Sequence, residues 1–224
     1  MELTEAHALL RPDPLPLEMG IERLPSGQLH VAARTDMHSC KGRMFEWWFT
    51  FGPLTREYSW WHPIDHVSSE WLDLEGGTVG STHVVDERLG ADEVLSLKIR
   101  FHDPAEIFGA APLREARERG DVTAAICANI GLSADPPRDA EGRPLGARLI
   151  HTARDTPFGC VLRSNFWLGA GLPLSPAELE AEIPDEVGLG LMKHAYTEFH
   201  YLSRFLPSLY IAERRDEEAP PVLW

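Results

Sequence analysis

One short aromatic segment carries two histidines whose spacing could support chemistry. Residues 57–66 read EYSWWHPIDH, so His62 and His66 stand four positions apart and Asp65 directly precedes the second histidine. Imidazole nitrogens and carboxylate oxygens are ligands that zinc accepts, and histidine is also the most frequent general acid or base. Packed aromatic side chains alone would need neither both histidines nor the aspartate. The segment therefore predicts a metal or proton-transfer site with partners elsewhere in the chain.

A second pair of polar residues occurs near the C-terminus, where His194 and Glu198 are spaced i and i+4. On a helix this spacing places both side chains on one face, and Leu191 and Leu202 fall close to that face. We therefore expect the face to point inward. A glutamate is rarely buried unless it is paired or bound to a metal. An ordinary surface pair of histidine and glutamate is the alternative interpretation.

The segment STHVVDERLG, residues 81–90, offers a third contributor. Alternation along a strand places His83, Val85 and Glu87 on one face and Asp86 on the other. An edge strand with a charged tip is the alternative. Together, His66, Glu87, His194 and Glu198 would form a set of two histidines and two carboxylates. Zinc accepts such ligands, and a catalytic zinc site keeps one position open for water.

The elements that must position these residues are predicted to be short helices, then an antiparallel sheet, then a long helix near the C-terminus. One helix is predicted over 41–52, ended by Gly52-Pro53, and a second from Thr55 toward Trp60 or Trp61. Strands are predicted at 27–35, 80–90, 93–103, 121–132, 147–156 and 159–169, with Gly90-Ala91-Asp92 as a hairpin connection and a loop at 133–146. Residues 184–210 read as one long helix that Pro207 stops or kinks. This order predicts an α+β fold with a ligand cavity between a curved sheet and the long helix.

Composition excludes several classes of partner. The net charge is −14, from 21 basic and 35 acidic residues, and no basic cluster favours a nucleic-acid partner. No segment approaches the roughly 18 apolar residues of a membrane span, and the N-terminal residues lack the pattern of a signal peptide. We therefore expect a cytoplasmic protein without a membrane partner. The three cysteines are far apart and predict neither a thiolate zinc site nor a disulfide framework. The oligomeric state is left open, with a homodimer as one option.

Four segments together resemble the 2,4-diacetylphloroglucinol hydrolase family, which also includes phloretin hydrolase. They are HVAARTDMHSCKGRMFEWWFTF, WWHPIDH, RSNFWLG and HAYTEFHYLSRFLP, and the resemblance runs from about residue 28 to residue 206. It implies a zinc-dependent hydrolase that cleaves the carbon–carbon bond between a polyhydroxyphenol ring and an acyl carbonyl. It also implies a helix-grip fold like that of the birch-pollen allergen. We therefore expect an irregular lead-in over 1–27 and a single helix-grip domain over 28–224.

The resemblance also implies roles for individual residues. It implies zinc ligands at His66, His194 and Glu198 and at a strand carboxylate, for which Glu87 is preferred and Asp86 is the close rival. The substrate would be a small aromatic ketone. The resemblance implies that Tyr58 and His151 contact this substrate. From their chemistry, Tyr58, His62 and His151 are the candidates for moving a proton to the ring carbon, and Trp61 and Phe166 would form apolar walls that hold the ring. Phe166 lacks the hydroxyl expected at its position, so it can pack against a phenol but cannot hydrogen-bond to it.

Several alternatives stay open at this point. His62 would act in proton transfer together with Tyr58 and His151, or it would only cap a helix or bind a backbone group. Asp65 is expected to orient a ligand rather than bind the metal. A rival function is that of a metal-free helix-grip protein that binds a ligand or shapes a polyketide, because a fold alone does not decide a function.

Overall fold

The structure is a computed structural model that describes residues 1–89 and 93–217. The expected hairpin connection Gly90-Ala91-Asp92 lies outside the described residues. The strands are β1 (Gly20–Arg23), β2 (Leu29–His38), β3 (His66–Leu72), β4 (Thr82–Glu87), β5 (Leu95–His102), β6 (Ala124–Gly131), β7 (Gly146–Thr156) and β8 (Gly159–Leu168). The α-helices are α1 (Gly42–Phe51), α2 (Thr55–Trp61), α3 (Ala105–Phe108), α4 (Ala110–Arg119), α5 (Pro176–Glu182), α6 (Asp185–Ser203) and α7 (Leu206–Glu213). Two 3₁₀-helices span Leu3–Leu10 and Leu74–Gly76.

The eight strands form one antiparallel sheet in the order β1-β2-β8-β7-β6-β5-β4-β3. Strands that follow one another from β3 to β8 are neighbours, as is common for consecutive strands. β2 pairs with β8, which is distant in sequence. One face of the curved sheet packs around α6, with α1 and α2 beside it. The predicted α+β helix-grip architecture, a curved antiparallel sheet around a long helix near the C-terminus, is confirmed.

Both faces of the sheet carry a core. The inner core joins the sheet to α1 and α6 and includes the fully buried Phe45, Trp48 and Phe199. The outer core joins the sheet to the helix at Leu3–Leu10 and to α3 and α4. The lead-in was expected to be irregular, but it contributes this 3₁₀-helix and β1, which pairs with β2. Its apolar side chains explain the difference, because Leu9 and Leu10 are buried against the outer face.

The two helices that precede the site end where their sequences predicted. Gly52 has a φ of 68° and closes α1 in the left-handed conformation, which glycine adopts without a Cβ clash. After Pro53, α2 runs from Thr55 to Trp61, and its last turn leads directly into the HPIDH segment. The chain thereby delivers Tyr58 and Trp61 to the inner face of the sheet.

The closing segment, predicted as one helix over 184–210, consists of two helices. α6 ends at Ser203, and α7 begins at Leu206 with Pro207 in its first turn. A proline has no N–H to donate and clashes with the preceding turn, so it starts a helix more readily than it continues one. At the other end of α6, a Cβ on Gly188 would stand 2.6 Å from a Leu29 methyl carbon, so glycine allows the close packing of α6 on β2. No helix among the described residues is long and apolar enough to cross a membrane.

Candidate active site

A cavity of about 190 Å³ lies between the sheet and α6. Most of its wall is aliphatic or aromatic, with Leu149, Phe166 and Leu191 as examples. Such a wall favours an apolar or aromatic ligand, while the few polar groups fix its orientation. The polar side chains that line it are Tyr58, His83, Glu87, His151, Glu182, His194 and Glu198.

The start of β3 brings His66 opposite Glu87 of β4. The register shifts between His66 and Ser68, and this bulge places His66 on the same inner face as Ser69, three residues further on. Glu87 is buried on the inner face, as alternation along β4 predicted. Asp86 points to the other face, where it accepts hydrogen bonds from the Ser68 and Ser96 hydroxyls at 2.7 and 2.6 Å. Of the two rival carboxylates, Glu87 is therefore the one that faces the cavity.

α6 supplies the other half of the site. His194 and Glu198 are both buried and line the cavity, as their helical spacing and apolar flank predicted. Leu191 and Val187 continue the same face toward the start of the helix. The surface-pair alternative for His194 and Glu198 does not match this burial.

His66, Glu87, His194 and Glu198 come together, and we refer to them as the inner set. The His66 Nε2 atom lies 3.8 Å from a Glu87 oxygen and 3.7 Å from a Glu198 oxygen. The His194 Nε2 atom lies 3.8 Å from the same Glu87 oxygen. These separations are too long for hydrogen bonds and leave room for an atom between the groups. The four polar side chains expected from the sequence are thus brought into one buried cluster.

Hydrogen bonds determine which nitrogen each histidine presents to the inner set. His66 donates from Nδ1 to the Tyr58 backbone carbonyl at 2.8 Å, and His194 donates from Nδ1 to Asp65 at 3.0 Å. In a neutral imidazole the other nitrogen then carries a lone pair. When the rings are neutral, both Nε2 atoms therefore face the carboxylates as electron-pair donors. Within the part of the chain that the structure describes, the buried Nε2 atom of His66 has no hydrogen-bond partner.

The pKa values within the inner set reflect crowded negative charge. Burial and the neighbouring Glu87 raise the pKa of Glu198 to about 8, against the opposing effect of His194. Burial alone would lower the pKa of His194, but Glu87, the hydrogen bond to Asp65 and Glu198 raise it to about 9. Burial, followed by the neighbouring His194, holds the pKa of His66 far below its usual range. Near pH 7 protons therefore occupy positions that a cation would otherwise fill.

A second group, His62, Asp65 and Thr197, lies behind His194, and we refer to it as the supporting set. The Asp65 backbone N–H donates to His62 Nδ1 at 3.0 Å, so the proton of that ring is on Nε2. Nε2 then donates to the Thr197 hydroxyl at 2.8 Å. His62 does not line the cavity, and both of its nitrogens are occupied. This position suits the expected orienting role of Asp65 and separates His62 from any ligand.

Tyr58 contacts two residues of the inner set and also lines the cavity. Its ring stacks on His66 with centroids 3.6 Å apart, and its hydroxyl donates to Glu87 at 2.5 Å. Burial, the charge of Glu87 and this hydrogen bond raise its pKa well above the usual range, so the phenol keeps its proton. The hydroxyl both orients Glu87 and borders the cavity.

The remaining residues expected at the site all line the cavity. His151, Trp61 and Phe166 are buried there. His151 shares a hydrogen bond of 2.9 Å between Nδ1 and the Ser164 hydroxyl, and burial lowers its pKa to about 3. The His151 ring meets Phe166 and Phe199 edge-on. The aromatic rings offer flat walls on which a ligand ring can stack or pack edge to face.

The inner set fits a divalent metal ion. The available donor atoms of His66, Glu87 and His194 all lie within 4.8 Å of one another, and a Glu198 oxygen lies 3.7 Å from His66 Nε2. The strongest single observation is that His66 Nε2 has no partner among the residues that the structure describes, because buried polar atoms are rarely left without one. The fixed tautomers resemble metal sites in which each histidine uses its second nitrogen to bind a carboxylate or a carbonyl.

Sequence reasoning placed His83 on the inner face of its strand but assigned it no role at the site. In the structure it is 2% exposed, lines the cavity and contacts Tyr58 edge-on. Its partner Ser69 was also missed, because β3 was not predicted. The alternation around Glu87 was the available signal, since it assigns His83 the same face as that carboxylate.

Comparisons with known proteins agree on one family. The family described as the DAPG hydrolase PhiG domain matches residues 1–211. A 2,4-diacetylphloroglucinol hydrolase from a Pseudomonas species is 30% identical over 93% of this chain and 76% of its own length. A protein of the same name from Pseudomonas protegens is also 30% identical, over 93% of this chain and 72% of its own length.

Solved structures show weaker similarity. Protein Ms6760 from Mycobacterium smegmatis superposes with a TM-score of 0.49 and 14% identity, covering 85% of this chain and 98% of that chain. The protein titled Ara h 8.0201 superposes with a TM-score of 0.47 and 12% identity, covering 80% of this chain and 97% of that chain.

Proposed function

Because the chain belongs to the DAPG hydrolase family, we propose that it hydrolyses the carbon–carbon bond between a polyhydroxyphenol ring and its acyl group. In class it would be a hydrolase of carbon–carbon bonds in ketonic substances. The observation that carries the proposal is the buried inner set, of which Glu87, His194 and Glu198 line an otherwise largely apolar cavity. A small aromatic ketone matches such a cavity, since its ring needs apolar walls and its carbonyl needs a polar end.

Zinc is the metal that we propose for the inner set. Imidazole nitrogen together with carboxylate oxygen is a donor combination that zinc accepts, whereas calcium and magnesium prefer oxygen ligands alone. The residues that would hold it are His66, Glu87, His194 and Glu198. When bound, zinc supplies Lewis acidity, which polarises a carbonyl and makes water more acidic.

The remaining chemistry must come from the side chains of the chain. Hydrolysis adds the hydroxyl of water to the acyl carbon and a proton to the ring carbon, which yields a carboxylic acid and a deacylated phenol. His151 and Tyr58 line the cavity and are the proposed groups for moving that proton; such transfer typically contributes about 10²- to 10⁴-fold. Tyr58 also holds Glu87 in place.

The aromatic wall has a separate task. Trp61 and Phe166 would hold the substrate ring and exclude water from its carbon atoms. Because Phe166 has no hydroxyl, recognition of the phenolic groups must come from other polar residues of the cavity. His62 is assigned to positioning, because it stands behind His194 and does not line the cavity.

The metal-free ligand-binding function fits the cavity but not the inner set. Without a cation, Glu198 and His194 must hold protons near pH 7, because the pKa values of both groups are raised. Among the described residues His66 Nε2 then still lacks a hydrogen-bond partner, and burial of such groups is costly in a low-dielectric interior. Simple packing would be satisfied by apolar residues at these positions. We therefore keep hydrolysis as the proposed function.

Two measurements test the proposal. Elemental analysis of the purified protein after mild dialysis should find about one zinc per chain. Mass spectrometry of reactions with a panel of acylphloroglucinols and aryl esters should find the deacylated phenol and the carboxylic acid as products. Full activity in a metal-free protein would exclude the zinc role, and ester cleavage with an intact ring–acyl bond would exclude the reaction class. Binding of acylphloroglucinols without turnover would favour the ligand-binding function.

A further inference from the structure

His83 is a polar cavity residue outside both the inner set and the supporting set. It lies on β4 four residues before Glu87, so the two side chains share the inner face of the strand. The imidazole is 2% exposed and lines the cavity. A buried histidine in this position calls for an account of both of its ring nitrogens.

Two short distances to the Ser69 hydroxyl determine which nitrogen of His83 carries the proton. The Ser69 hydroxyl oxygen lies 2.6 Å from the Pro53 carbonyl oxygen and 2.7 Å from His83 Nε2. Two oxygens approach to 2.6 Å only with a proton between them, and the hydroxyl carries the only one available. Ser69 therefore donates to Pro53 and accepts from His83, so the proton of His83 is on Nε2 and Nδ1 bears a lone pair.

The same carbonyl also fixes the orientation of the ring. Trp71 donates from its indole nitrogen to the Pro53 carbonyl at 3.1 Å. The Trp71 ring stacks on His83 with centroids 4.2 Å apart and planes 12° from parallel. The Pro53 carbonyl thus accepts hydrogen bonds from two groups that constrain His83. The Ser69 hydroxyl determines the position of the His83 proton, and the Trp71 indole determines the plane of the ring. A residue so constrained is preorganised for recognition rather than free to adapt.

The remaining nitrogen, Nδ1, has no hydrogen-bond partner within residues 1–89 and 93–217. Burial lowers the pKa of His83 to about 3, so the ring is neutral near pH 7. A neutral ring with its proton held on Nε2 can only accept a hydrogen bond at Nδ1. A ligand that enters the cavity with a hydroxyl group would satisfy this acceptor, whereas an ether or a bare C–H would not.

We propose that His83 is a specificity-determining residue whose Nδ1 atom accepts a hydrogen bond from a phenolic hydroxyl of the substrate ring. The inference rests on the proposed function. It identifies a residue that can recognise a free hydroxyl of the substrate, which Phe166 cannot do because it has no hydrogen-bonding group. Sites that hydrogen-bond a substrate hydroxyl discriminate strongly against analogues that lack it, because the buried partner is left unpaired.

Binding of unreactive ring compounds to the zinc-loaded protein tests the inference directly. The probes are 1,3,5-trihydroxybenzene and its mono-, di- and trimethyl ethers, measured by titration calorimetry. We expect the trimethyl ether to bind about 10- to 100-fold more weakly than the triol to the unchanged protein. In His83→Phe, which keeps an aromatic ring on Trp71, the triol should lose most of that advantage while zinc content stays the same.

Ser69→Ala is the matched control for the tautomer. It leaves the imidazole in place but removes the acceptor that holds its proton on Nε2, so the preference for the triol should fall toward that of His83→Phe. Nitrogen NMR of the unchanged protein should show a protonated Nε2 and an unprotonated Nδ1 for this ring. Protonation at Nδ1 would overturn the inference, as would equal preference for the triol in all three proteins or a failure of the unchanged protein to bind it. His83→Leu, which also lacks an acceptor, replaces His83→Phe if the latter does not fold.

Turnover measurements separate this inference from the proposed function. If acylated triols are cleaved, His83→Phe should lower kcat/KM about 10- to 100-fold for them and much less for their methyl ethers. If no acyl compound is cleaved by any of the proteins, the proposed function fails. The binding preference and the nitrogen NMR still decide the role of His83 in that case.

Discussion

Two groups of histidines and carboxylates meet at His194, and they differ in how many of their polar atoms already have partners. His62, Asp65 and His194 form one compact group, and His66, Glu87 and His194 form another of similar size. In the first, hydrogen bonds join His62 to the Asp65 backbone and Asp65 to His194. In the second, His66 Nε2 has no partner among residues 1–89 and 93–217, and the oxygens of Glu87 and Glu198 lie beyond hydrogen-bond distance from it.

The difference shows that closeness of ligand-type atoms does not by itself identify a metal site. A group whose donors and acceptors satisfy one another is stable without an ion, whereas a buried group with unmatched lone pairs needs a cation or protons. His194 belongs to both groups because its two nitrogens face different partners. The supporting set therefore orients His194, and the inner set remains available to bind a metal ion.

The largest effect that would sharpen this comparison is expected at the inner set. Glu87→Gln removes the charge that faces both histidines, and activity should fall by about 10³-fold or more, with a matching loss of bound zinc. Asp86→Asn is the matched control, since Asp86 bonds to Ser68 and Ser96 on the opposite face. Metal analysis and steady-state rates measure both variants. Equal losses in the two variants would show that the orientation of β4 does not decide which carboxylate binds.

The next largest effect comes from competition between protons and the metal for the inner set. In the metal-free protein the pKa values of Glu198 and His194 are raised to about 8 and about 9, so both groups hold protons at lower pH. A cation must displace them, so zinc affinity should rise with pH up to about 8 and level off above about 9. With two protons displaced, the rise approaches about 100-fold per pH unit. Competition with a chelator at several pH values measures it, and a flat profile between about pH 6 and about pH 8 would contradict it.

A smaller effect is expected where the supporting set contacts the inner set. Asp65→Asn keeps an oxygen that can accept from His194 but removes the charge behind that ring. Loss of such an outer partner typically weakens metal binding or activity by about 10- to 100-fold. The zinc dissociation constant is the measurement. A loss as large as that of Glu87→Gln would place Asp65 among the ligands and remove the distinction between the two groups.

The smallest effect is expected at the far side of the supporting set. Thr197→Val removes the acceptor of His62 Nε2, which should destabilise the fold by about 1 kcal/mol and lower Tm by about 2–4 °C. Zinc affinity should change by less than about threefold, because His62 supplies no ligand atom and meets the inner set through ring contacts with His66 and His194 and through Asp65. Calorimetric unfolding and zinc titration provide the two values. A large loss of zinc affinity with unchanged Tm would contradict a supporting role.

Elements with strong periodicity were predictable, and elements without it were not. The helices that became α1 and α2 and the strands from β4 to β8 follow runs of apolar residues at helical or alternating spacing. β3 has the sequence HVSSEWL, whose alternation is interrupted by the bulge after His66, so it was missed. α4 was missed because its charged residues leave only Leu113 and Ala116 buried.

The sequence by itself determined which side chains share a face. Helical spacing placed His194 with Glu198, and alternation placed His83 with Glu87, because both depend only on the local geometry of the backbone. These relations hold wherever the elements finally lie. They were enough to propose four polar residues for one site, but not to separate ligands from supporting residues.

Only the tertiary structure decided which atoms of those side chains remain available. The proton of His83 depends on Ser69 and Pro53, and the free nitrogen of His194 depends on Asp65, which is 129 positions earlier in the chain. Such assignments need the hydrogen-bond partners of each atom, and those partners come from different strands, helices and loops. A sequence pattern specifies the direction of a side chain along its own element, whereas its tautomer and its unpaired atoms follow from everything packed around it.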